Sequence, residues 1–347
     1  MRKSFAAFAV LGPICVATIF CASRISHAAT PPPASSGYHV VKTVPIPGDE
    51  GWDYLTVDAA SRRVYISHGS HVVVMNADTY AVEGDVPDTQ GVHGIALAPD
   101  LGRGFVSAGR ANTAVIFDIN SLKTLGTVKT DANPDAIVYD AVTKRVFTLN
   151  GRGQNTTAIN GADGTVAGTL ALGGKPEFAQ ADGKGSIYVN IEDKNELVQF
   201  DAQKITETHR WPLAPCKSPS GLAMDVKNRR TFSVCDEKVM AVVNADTGAV
   251  VATPTICDGP DAAGFDPATG YVFASCGDGN LTVIHQDSPD KYTVVENVAT
   301  KRSARTMALD LKTHTIFLPS AEFDAPAAGE RRGKMKAGSF AIVVVSK

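Results

Sequence analysis

Residues 219–248 read Pro-Ser-Gly-Leu-Ala-Met-Asp-Val-Lys-Asn-Arg-Arg-Thr-Phe-Ser-Val-Cys-Asp-Glu-Lys-Val-Met-Ala-Val-Val-Asn-Ala-Asp-Thr-Gly. Short apolar runs around Phe232 and Val242 alternate with polar turns marked by Asp225 and Asn244. Asp, Asn and Gly close tight turns because they tolerate left-handed backbone and bond their side chains to nearby amides. The stretch therefore reads as strand, turn, strand. It recurs along the chain. Tyr65, Phe105, Phe147, Tyr188, Phe232, Phe273 and Phe317 are separated by 40, 42, 41, 44, 41 and 44 residues, each in a short apolar run. An aspartate stands seven residues earlier in five copies (Asp58, Asp140, Asp225, Asp266 and Asp310). Asn76, Asp118, Asn160, Asp201 and Asn244 keep the same register on the other side. Seven units of about 42 residues mean a radial or solenoid array.

Each unit has room for four antiparallel strands, and no helical period competes with them. That is the pattern of an all-β, seven-bladed β-propeller. The last copy has only one strand after Phe317, Phe340 to Val345, and so lacks its outermost strand. Tyr38–Ile46 has the alternating pattern to supply it and to remove the open edge of the ring. The repeats resemble those of the YVTN-repeat, YncE-like propellers over roughly residues 38–347, on copies such as Pro219–Asp225, Arg230–Val234 and Val242–Gly248. That resemblance implies the fold and carries little chemistry, since function does not follow from fold.

Residues 1–28 read as a secretory signal peptide: Arg2-Lys3, an apolar stretch from Phe5 to Phe20, then Ser26-His27-Ala28. The apolar run is too short, and too interrupted by Gly12-Pro13, for a transmembrane anchor. Residues 29–37 form a Pro/Ser-rich linker, and 38–347 a single propeller domain. A periplasmic or secreted monomer is expected. The chain holds 33 basic and 36 acidic residues, and loss of Arg2, Lys3 and Arg24 with the leader deepens the acidic excess. This disfavours broad nucleic-acid binding, which needs a clustered basic face.

Export would make disulfides of the four remaining cysteines. Cys216 to Cys257 and Cys235 to Cys276 both span 41 residues, so the cysteines occupy equivalent places in blades 5 and 6. Antiparallel pairing brings each blade's two together, giving Cys216–Cys235 and Cys257–Cys276 as the expected bonds. A four-thiolate metal site lacks the close Cys-x-x-Cys spacing.

The residue twelve before each aromatic marks the start of an innermost strand. Around the ring these are Asp53, His93, Asp135, Pro176 (with Glu177 beside it), Ser220, Asp261 and Arg305. If blade 4 has a turn one residue shorter, Glu177 takes the place of Asp135. Carboxylates and an imidazole at one channel mouth suit a hard divalent cation, with Asp53, His93, Asp135 and Glu177 as ligands. They equally suit a cationic or polyhydroxy ligand held by charge-assisted hydrogen bonds. Like-charge crowding there raises carboxylate pKa values unless Arg305 or a cation compensates. His68, Asn150 and Glu192 belong to the same face by register, and His68 is expected beside His93. Residues 319–338 form a long loop whose basic end (Arg331, Arg332, Lys334, Lys336) is a candidate lid.

Three functions fit. The preferred one is a non-catalytic module binding an unidentified small ligand or protein through this mouth. The second is a metal-dependent enzyme of the lyase or lactone-hydrolase type. The third is a haem- or quinone-binding redox propeller, with non-covalent haem because no Cys-x-x-Cys-His is present. No Ser-His-Asp order or phosphate loop points to another chemistry.

Overall fold

The computed structural model describes residues 1–4, 35–326, 329 and 333–347. The expected leader, beyond its first four residues, and linker residues 29–34 lie outside the described residues, as do Arg331 and Arg332.

The strands form seven four-stranded antiparallel sheets, each the blade of a β-propeller. The innermost strands begin at Leu55, Val92, Pro134, Pro176, Leu222, Pro260 and Ala308 for blades 1 to 7. His39–Pro45 pairs antiparallel with Ala341–Ser346, so the first strand completes the last blade and closes the ring. Among the described residues no helix is long and apolar enough to cross a membrane.

All seven repeat aromatics are fully buried. They sit on the second strand of each blade and fill the wedge against a neighbour. Tyr65 of blade 1 meets Phe117 of blade 2 at 5.8 Å between ring centroids, and Phe147 of blade 3 meets Phe200 of blade 4 at 5.2 Å. A side chain of this size removes enough apolar area from water to explain why the interval recurs.

The repeat aspartates act at the opposite end from the mouth. Asp310 accepts the Lys312 amide (2.9 Å) and the Thr313 hydroxyl (2.6 Å), closing its turn, and also takes Arg62 of blade 1 at 2.6 Å. Asp266 likewise caps its own turn and pairs with His314 of blade 7 at 2.7 Å. Arg229 of blade 5 reaches Asp182 of blade 4 at 3.0 Å. Arg62, Arg229 and His314 hold the same turn position with left-handed backbone. Asp182, Asp266 and Asp310 thus each close a turn within their own blade and tie that blade to the next.

Both expected disulfides are present, Cys216–Cys235 and Cys257–Cys276, with Cα–Cα separations of 5.5 and 5.8 Å. The 319–338 segment departs from the structureless loop expected of it. Its stems pair, Phe323 opposite Met335, with the Asp324 amide donating to Lys334 O (2.9 Å) and the Lys336 amide to Glu322 O (2.8 Å). Phe323 and Met335 then pack on the core between blades 7 and 1.

Candidate functional site

Pairing between the first two strands of the blades fixes the mouth register. Pro134 lies opposite Asn150, Pro176 opposite Ile191 and Pro260 opposite Cys276, each partner three residues after the repeat aromatic. Blade 4 therefore does have the shorter turn, and Glu177 rather than Pro176 is the equivalent of Asp135 and Asp261. The ladder slips between Val92 and Ile95, Pro134 and Ile137, Pro176 and Ala179, and Pro260 and Ala262. Such bulges re-aim side chains. His93, Asp135, Glu177 and Asp261 all lie within them.

Neighbouring blades hold this backbone in place. The Thr306 hydroxyl donates to Asp53 O (2.7 Å), the Tyr54 amide to His93 O (3.1 Å), and the Ser275 hydroxyl to Arg305 O (2.6 Å). Ser107 reaches Asp135 O in the same way.

The side chains converge. His93 Nδ1 lies 2.6 Å from Asp53 Oδ2 and 3.2 Å from Asp135 Oδ1. One ligating atom from each of these three residues lies within 4.8 Å of the others. Arg305 bonds Asp261 and stands 3.5 Å from Asp53. Lys175 pairs with Glu192 and lies 3.6 Å from Glu177. The Oε2 atom of Glu177 is buried and has no hydrogen-bond partner among the described residues.

Burial first, then the Asp135 charge, pushes the Glu177 carboxyl up to about 8, against Lys175. Burial likewise carries Asp261 to about 7 despite Arg305, and raises Asp135 despite His93. Burial works against a charged His93, yet the bond to Asp53 and the Asp135 charge hold its pKa above the usual imidazole range. Burial and like-charge crowding therefore keep protons on these carboxyls, and a bound cation would lower their pKa values again.

Tyr54 and Phe178, from blades 1 and 4 on opposite sides of the ring, meet across the axis at 4.8 Å between ring centroids. The mouth is thus a cup floored by aromatic rings. Beneath them a separate cavity of about 320 Å³, lined by Thr56, Ile95, Ile137 and Gln180, opens towards the other face.

Three expected residues play other parts. His68 is fully buried, stacks on Phe340 at 4.5 Å and adjoins His71. Burial and His71 lower its pKa. It packs in the wall of blade 1, so the expected His68–His93 pair is not formed. Asn150 is buried and spends its amide on Asn155 (2.7 Å) and Thr157 (2.9 Å) inside blade 3. Glu192 stays at the rim and acts through Lys175. In the described part of the basic end of the 319–338 segment, Lys336 pairs with Glu322 at 3.2 Å.

Sequence reasoning missed Lys175, Tyr54 and Phe178, though the register held signals for them. The residue after the mouth position is Gly94, Ala136, Gly221, Ala262 or Thr306 in the other blades, so Tyr54 and Phe178 are the two bulky exceptions.

No protein-family model matches the chain, and no curated protein matches it. Solved structures do. A chain of the Kuenenia stuttgartiensis hydrazine synthase superposes with a TM-score of 0.69 at 14% identity, covering 79% of this chain and 94% of that one. A chain of the mitotic checkpoint complex gives 0.73 at 14%, covering 100% and 99%. The RRP9 WD40 repeats give 0.74 at 9%, covering 90% and 98%. Identities this low speak for the seven-bladed propeller alone, a scaffold that presents loops for interaction.

Proposed function

We propose that this chain is an exported, YncE-like propeller, residues 38–347 after a leader over 1–28, that acts as a non-catalytic binding module through its channel mouth. One observation carries the reading: a charged cup, floored by Tyr54 and Phe178, in which Asp53, His93 and Asp135 bring three ligating atoms within 4.8 Å of one another. Convergent polar groups in a concavity with perturbed pKa values are what a binding site requires. The two disulfides are compatible with an oxidising compartment.

A metal-dependent function is the second reading, favoured by the same three donors. Asp53, His93 and Asp135 would hold a divalent ion in place of the proton on His93 Nδ1, with Glu177 as a further oxygen donor. A bound ion would supply Lewis acidity there.

The test is elemental analysis of protein purified without chelator, together with titration calorimetry using manganese, zinc, calcium and simple amines. An Asp135→Asn, Glu177→Gln variant serves as control. Binding that the variant loses supports the mouth as a ligand site. Binding that the variant keeps, or none at all, sinks it.

A further inference from the structure

Five residues after each repeat aromatic, on the turn between the second and third strands, blades 4 to 7 carry Asp193, Glu237, Asp278 and Glu322. All four acids are engaged. Asp193 accepts the Lys175 amide (2.7 Å), Glu237 pairs with Lys217 (2.7 Å), Asp278 accepts the Asn280 amide (2.9 Å), and Glu322 meets Lys336 (3.2 Å). Blades 2 and 3 reverse the charge at this position, with Arg110 and Arg152. Both arginines are exposed, and neither side chain makes a hydrogen bond or ion pair among the described residues. They line a cavity of about 500 Å³ together with Trp52, Asp53, His93 and Arg305.

The turns carrying these arginines lie directly on the cup. A Cβ at Gly109 would stand 2.7 Å from the His93 ring, and one at Gly151 would stand 3.8 Å from Asp135 Oδ2. At the base Tyr54 is 7% exposed, and its hydroxyl has no hydrogen-bond partner among the described residues. The charges that act on it are those of Asp261, Glu177, Asp53 and Asp135. A buried polar atom without a partner is costly unless something else satisfies it. At the mouth that atom is Glu177 Oε2, buried and without a hydrogen-bond partner among the described residues.

We infer that the mouth takes a zwitterionic small molecule, its ammonium group in the cup of Asp53, Asp135, Glu177 and Asp261 and its anionic end on Arg110 and Arg152. This deepens the mouth-binding reading and rests on it. A purely anionic ligand would meet Asp53 in the same cavity, and a purely cationic one would leave two unpaired guanidinium groups on its wall. Arginine forks suit carboxylate or phosphate, and ammonium–carboxylate bonds are charge-assisted. A cavity of a few hundred Å³ suits a small molecule.

The test is calorimetry on chelator-treated protein with ω-amino acids from glycine to ε-aminocaproate, each beside the amine and the carboxylate of matched length. At one chain length the amino acid should bind about tenfold more tightly than either single-ended probe. An Arg110→Ala, Arg152→Ala variant, its fold checked by thermal melting, should bind the amino acid no more tightly than the amine, with amine binding not weakened. Asp135→Asn should weaken both. An amino acid no tighter than its amine, a double arginine variant without effect, or binding of divalent cations alone would overturn the inference while leaving the mouth a site. Failure of every amine, amino acid and divalent cation would remove the underlying reading as well.

Discussion

Glu177 is the residue on which the electrostatics of the cup turn. Its carboxyl is held at about 8 by burial and by Asp135, whereas an unfolded chain releases that proton near 4.5. Between those values the folded state binds more protons than the unfolded one, so stability falls as pH rises. In chelator-treated protein, Glu177→Gln should match the parent near pH 5 and exceed it by about 1–3 kcal/mol near pH 8, read by urea unfolding at both values. A constant difference across that range would contradict the burial argument. The register that placed Glu177 at the mouth was legible because blade starts are one repeat position, and a shorter turn explains the one-residue offset. His68 was misjudged for a physical reason. A position near a strand end says which end of the blade a residue occupies, but only packing decides whether the ring faces the cup or Phe340.

At the scale of the element, the blade is a turn-capped sheet wedged apart from its neighbours by one aromatic. Phe147→Ala should cost about 3–5 kcal/mol, because the space between Phe200 and the flanking strands cannot collapse without moving a blade. Chemical denaturation measures this directly, and a loss under about 1 kcal/mol would deny the wedge its role. Each disulfide closes a separation of 19 residues, for which loop-closure entropy gives about 3 kcal/mol. Cys216→Ser with Cys235→Ser should therefore lower Tm by several degrees while leaving the blade order intact. The pairing was readable because the cysteines repeat with the blades. The aromatic floor was not read because it depends on two residues meeting across the axis, which periodicity along the chain does not encode.

For the whole molecule, closure joins the two ends of the described ring. Deleting residues 1–46 would leave Ala341–Ser346 as an open edge. Such a protein should aggregate and lose its sharp thermal transition. Static light scattering and melting curves check this, and a monomeric variant with an unchanged Tm would mean the splice is dispensable. Closure also makes the cup a property of the ring: Asp53, His93, Asp135, Glu177, Asp261 and Arg305 come from six of the seven blades, and no fragment of the ring could hold them at these distances. The most direct measurement is a high-resolution crystal structure of protein purified without chelator, with the density at the mouth examined before any ligand is added. The expected result is an ion or small molecule within bonding distance of Asp135 and Glu177 Oε2. Ordinary water alone, with Glu177 turned to another partner, would contradict the assignment of the mouth as a binding site.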